Sequence, residues 1–88
     1  MNIPEAIREA MRLANIPTQQ ALSFAIFAQC GARVTQSAIS QYLSGGMTPD
    51  RKTLGRIWRA CGVAAVDIDE GIELRPLAEM RRLFLGKG

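Results

Sequence analysis

From Ala21 to Ala28 the chain reads A-L-S-F-A-I-F-A, with Ser23 as its one polar residue. A helix that is apolar on nearly every side is packed from several directions. This run is therefore expected to form the central helix of the fold. Thr18 suits its N-cap, and Gly31, after Gln29 and Cys30, suits its stop. With 88 residues, the chain can build one domain around one core.

Other helices are legible around it. Ile3, Ile7, Ala10, Met11 and Ala14 recur at helical spacing. Asn2 can cap that helix, Pro4 suits its first turn, and Glu5 favours the positive end of its dipole. Asn15-Ile16-Pro17 breaks the pattern. After the link Ala32-Arg33-Val34, Thr35 is a good N-cap for a short helix from Gln36 to Leu43, closed by Ser44-Gly45-Gly46. Ala38, Ile39, Tyr42 and Leu43 make its apolar side; Gln36, Ser37, Ser40 and Gln41 make the other. Thr48-Pro49-Asp50 opens a fourth helix with the stripe Leu54, Ile57, Trp58 and Cys61, and Gly62 ends it. Farther on, Val66, Ile68, Ile72 and Leu74 alternate with acids around Asp69-Glu70-Gly71. That pattern fits a small hairpin, an extended arm or a ragged helix. After Pro76, the spacing of Leu77, Met80, Leu83 and Phe84 predicts a short fifth helix.

The expected class is all-α: a compact four- to five-helix fold in which residues 1–63 form one helical domain and 64–88 a C-terminal dimerisation tail, with room for a small β element. Hydrophobic content of 48% against 22% charged residues is globular rather than disordered. Three Phe, one Tyr and one Trp are few for a large β-sandwich. Residues 1–62 hold seven cationic and three acidic side chains, a net +4, while residues 63–88 hold four and five, a net −1. A polyanion is drawn to the first part and repelled by the acids at 67–73. Cys30 and Cys61 are far apart and read as buried thiols in a reducing compartment. With no histidine and no CxxC, the sequence shows no zinc site. It also shows no nucleophile–base set and no phosphate loop, so neither an enzyme nor a cofactor is expected. No signal peptide and no membrane-length apolar run is present, so the bacterial cytoplasm or nucleoid is the expected location.

Thr18 to Gly46 is the informative stretch: an apolar helix, a Gly-containing link and a short helix with a small polar face, together a helix-turn-helix. Val34-Thr35-Gln36-Ser37-Ala38-Ile39-Ser40-Gln41-Tyr42-Leu43-Ser44-Gly45-Gly46 resembles the reading helix of Cro/CI-type, lambda-repressor-like DNA-binding domains. Thr18-Gln19-Gln20-Ala21-Leu22-Ser23 resembles that family's opening of the second helix, and Leu54 to Val63 its next helix. The likeness covers about residues 3–63. Two departures stand out: the span from Thr18 to Thr35 is longer than the usual pattern, and Gly45-Gly46-Met47 replaces basic residues after the reading helix.

The resemblance implies a sequence-specific transcriptional regulator, a repressor that binds double-stranded DNA in the major groove. It also implies site residues. Gln36, Ser37, Ser40 and Gln41 would contact base edges, the two glutamines by bidentate pairs with adenine. Gln19, Arg33, Arg51 and Lys52 would meet phosphates, as would Thr35, chiefly a cap. One reading helix covers few base pairs, so a homodimer on a palindrome is expected, with half-sites about one helical turn apart. Ile72, Leu74, Leu77, Met80, Leu83 and Phe84 are the candidate dimer residues. Two alternatives remain open: the antitoxin of a toxin–antitoxin pair, gripping its toxin through the acidic segment, and a helical interaction module that does not bind DNA.

Overall fold

A computed structural model describes residues 1–68 and 71–78. These form α1 (Ile3–Leu13), α2 (Gln19–Cys30), α3 (Gln36–Ser44) and α4 (Arg51–Cys61). An antiparallel hairpin of β1 (Val63–Ile68) and β2 (Gly71–Pro76) follows. Each helix begins where a side chain can replace a missing backbone partner. The Thr18, Thr35 and Asp50 oxygens accept from the Ala21, Ala38 and Thr53 N–H groups at 3.0, 3.1 and 2.7 Å. Asn2 does the same for Glu5, and the Glu5 carboxylate accepts in return from the Asn2 N–H. This reciprocal pair fastens the start of α1 more firmly than a lone cap. Gly31 and Gly45, on either side of α3, take left-handed φ values of 66° and 84°. That conformation ends a helix at little steric cost only when no Cβ is present.

The core draws on every helix. Ile7 of α1, Leu22 and Ile26 of α2, Ile39 of α3 and Ile57 of α4 are wholly buried. Each such burial is worth about 1.5–3 kcal/mol. Leu43, Leu54 and Trp58, expected in the core, pack on its edge as partly buried residues. Cys61 is buried as expected, and burial pushes its thiol up to about 11. Cys30 is only half-buried.

α2 is not wrapped on all sides, contrary to the reading of its apolar run. Leu22 and Ile26 lie inward, but Phe24 is 73% and Phe27 53% exposed. The reason is a shortage of elements. α2 packs chiefly on α4 and α3, and among the described residues no further helix covers its outer face.

The hairpin, one of three options for the acidic segment, pairs Val63 with Pro76 through to Ile68 with Gly71. An all-α description is therefore corrected to a mostly helical domain with a small two-stranded sheet. Directly paired residues share a face, so Val63, Ala65, Ile72 and Leu74 lie on one side. Val63 is buried there and Leu74 packs on the core, while Val66, on the other face, is exposed. The hairpin meets α4 through β1 and α1 through β2. Met1 adds two backbone bonds along β2: its ammonium donates to the Ile72 carbonyl, and the Ile72 N–H donates back to the Met1 carbonyl.

This packing changes the account of the dimer candidates. Leu74 is used by the chain's own core, because the hairpin folds back onto the helices. Ile72 lines hollows with Ile3 and Trp58, and Leu77 is exposed. Met80, Leu83 and Phe84, and with them most of the expected fifth helix, lie outside the described residues. Among the described residues, no helix is long and apolar enough to cross a membrane.

Two measurements check this packing. In urea titrations, Leu22→Ala is expected to cost about 2–5 kcal/mol, and Phe24→Ala to stay within about 0.5 kcal/mol. Equal losses would mean that the outer face of α2 is covered after all. The second concerns Asp50, whose carboxyl is held below its ordinary range by hydrogen bonds from the Thr53 side chain and backbone, and by nearby Arg56 and Lys52. The stability it contributes is complete above the ordinary carboxylate pKa and is lost as pH falls through the lowered one. Asp50→Asn should therefore flatten the acid limb of a stability–pH curve; an unaltered limb would remove the cap from the account.

Candidate nucleic-acid interface

The polar face anticipated for α3 is open to solvent. Gln36, Ser37, Ser40 and Gln41 are all exposed, and their spacing puts them on one stripe. The opposite face holds Ile39 and Tyr42, both buried, so the rotation of α3 is set by the core. Both ends of the helix are also tied down. Ser23 Oγ donates to the Val34 carbonyl at 2.5 Å, just before the Thr35 cap. Arg8 Nη2 donates to the Leu43 carbonyl at 2.6 Å in the last turn. A guanidinium there also complements the negative end of the helix dipole. Ser23, the one polar residue in the apolar run of α2, thus anchors the link into α3.

A cleft of about 540 Å³ opens where α1, α2 and α3 converge. It brings Gln19, the first residue of α2, together with Gln36, the first residue of α3. Arg8 and Arg12 stand on its α1 side, and Met11 and Ile16 give it an apolar lining. Asn15 makes the tight turn into α2 at a φ of 57°, a conformation asparagine tolerates better than most residues. The start of α2 contributes the positive end of its dipole. Arg12 also pairs with Glu9, whose carboxyl it holds below the ordinary range through a side-chain hydrogen bond. No Asp or Glu occurs between Glu9 and Asp50. The two helices and their links therefore carry no negative side chain to repel an anion.

The other phosphate candidates are scattered. Arg33 and Thr35 share a separate hollow with Phe24 and Phe27. Thr35 Oγ1 is engaged as the α3 cap. Arg51 lines a groove with Ile3, Leu54, Trp58 and Ile72, on the side of the hairpin. Lys52 is exposed at the start of α4. Gln19, assigned to phosphate, shares a cleft with a residue assigned to bases, Gln36. Sequence reasoning missed Arg8 and Arg12. Their signal was present: cations four residues apart, off the Ile3–Ile7–Met11 stripe of α1.

Because these polar groups are open, they should be separable from the fold. Ser23→Ala is expected to cost about 1 kcal/mol in a thermal melt through its lost hydrogen bond. Gln36→Ala and Gln41→Ala should leave stability within about 0.5 kcal/mol. A loss at Gln36 as large as that at Ser23 would assign this glutamine to the scaffold instead. No family model matches the chain, and neither the curated proteins nor the solved structures give a match to it.

Proposed function

We propose that this protein is a sequence-specific DNA-binding transcriptional regulator of lambda-repressor-like fold, acting as a repressor by occupying a promoter as a homodimer. The observation that carries the reading is the cleft that joins Gln19 to Gln36 beside Arg8 and Arg12, at the head of an outward-facing polar stripe on α3. In B-DNA the major groove is about 12 Å wide and admits one helix. With α3 lying in it, Gln36 and Gln41 present amides that pair with an adenine edge through an acceptor and a donor, and Ser37 and Ser40 add shorter contacts. Gln19, the free N–H groups at the start of α2, and the two arginines then face the flanking phosphates. Base contacts supply the specificity; the cationic rim supplies the salt-dependent affinity.

The test is selection from a random duplex library at two salt concentrations, with the enriched sites sequenced. A palindrome is expected, bound more weakly as salt rises. Against a selected half-site, Gln36→Ala should cost about 1–3 kcal/mol, roughly 5- to 150-fold, and relax the preference at one position. Arg12→Ala should weaken all sequences alike and lower the salt slope by about one. Selection that enriches no sequence would remove the regulator reading.

A further inference from the structure

We infer that the outer stripe of α4, formed by Lys52, Arg56 and Arg59, is a second contact for duplex DNA, one that grips the phosphate backbone of any sequence. This deepens the DNA-binding proposal and rests on it for the choice of duplex DNA among polyphosphates. The three cations stand four and three residues apart, so they follow one line along the helix. Ile57 and Cys61, on the opposite side, are buried and turn that line outward. Lys52 and Arg59 are exposed, and Arg56 is half-buried. Among the described residues, none of the three takes part in an ion pair. From Arg51 to Val66 the chain has four cations and no acid. Asp50 is the nearest acid in sequence, and its carboxylate accepts from the Thr53 N–H as the cap of α4.

The helix itself does not call for these residues. Unpaired N–H groups make the start of α4 positive, and beyond the Asp50 cap its first turn adds Arg51 and Lys52 with no acid. Gly55, in the middle of the helix, is exposed, and a Cβ there would meet nothing within 4 Å. Alanine would fit this position and suit a helix better. Two local choices thus work against the stability of α4. Such choices gather where binding, rather than folding, selects the residue. Both suit a polyanion. Gly55 stands three residues after Lys52 and four before Arg59, so it leaves bare backbone beside the stripe for a close approach.

Charge and shape select the partner. The line rises about 6 Å from Lys52 to Arg56 and about 4.5 Å from Arg56 to Arg59. Duplex DNA carries a negative charge about every 1.7 Å of its axis, so each cation meets phosphate whatever the register. The planar fork of arginine takes two phosphate oxygens at once. An acidic peptide fits less well. Protein partners are held by buried aromatic and aliphatic anchors, and among the described residues no large exposed hydrophobic side chain lies on α4. α4 packs chiefly on α2 and lines no part of the cleft that joins Gln19 to Gln36. Its grip is therefore additional to the phosphates met beside α3, and phosphates carry no sequence information.

The test uses the full chain and a random-sequence duplex, with affinity measured at about 50 and 200 mM salt. Each phosphate contact adds about 0.9 to the salt slope, so wild type is expected to lose roughly tenfold more affinity across this range than K52Q/R59Q, altered only at exposed positions. Circular dichroism of the variant should match wild type, and K52Q alone should melt no lower than wild type. Equal salt dependence of wild type and K52Q/R59Q overturns the inference. So does an equal change in R81Q/R82Q, which removes the same charge outside the described residues and would assign the effect to net charge. Polyglutamate bound as tightly as the duplex, with the same loss in K52Q/R59Q, would replace DNA by an acidic peptide and overturn it too. Selection that enriches no sequence would sink the regulator reading alone, since the random duplex judges the stripe without it.

Discussion

Ile39 has no contact with water, and the presentation of α3 follows from that. It shares one apolar cluster with Ile7, Leu22, Ile26 and Ile57, drawn from the other three helices. Turning α3 to expose Ile39 would forfeit about 1.5–3 kcal/mol, a large share of the stability of a domain this small. The rotation of the helix is thus fixed from behind. Gln36, Ser37, Ser40 and Gln41 face outward because Ile39 and Tyr42 face inward. The bonds from Ser23 and Arg8 then hold its two ends.

The same economy explains the exposed phenylalanines. Among the described residues, four short helices and a hairpin cover one side of α2 and leave the other open. Leu22 and Ile26 take the side that α3 and α4 close, and Phe24 and Phe27 are left on the other.

The helices were readable because their signals are local. Caps at Asn2, Thr18 and Thr35, stops at Gly31, Gly45 and Gly62, and the 3.6-residue stripes act within one or two turns of chain. The polar face of α3 was readable for the same reason. The hairpin was not separable from its alternatives, because four apolar residues alternating with acids carry no helix or strand signal strong enough to decide. Packing of Val63 and Leu74 against the core resolved it. Arg8 and Arg12 escaped notice because they belong to α1, and nothing in their neighbourhood in sequence links them to Gln36.

By itself, then, the sequence determined where four helices start and stop and which residues of α3 are polar. Those properties arise from hydrogen bonds and side-chain spacing a few residues apart. Only the tertiary structure decided that Gln19, Gln36, Arg8 and Arg12 share a cleft, that Arg51 lies elsewhere, and which side of α2 is left bare. These depend on how separate elements pack, and a stretch as nearly all-apolar as Ala21–Ala28 has no periodicity from which to read the side its neighbours will cover.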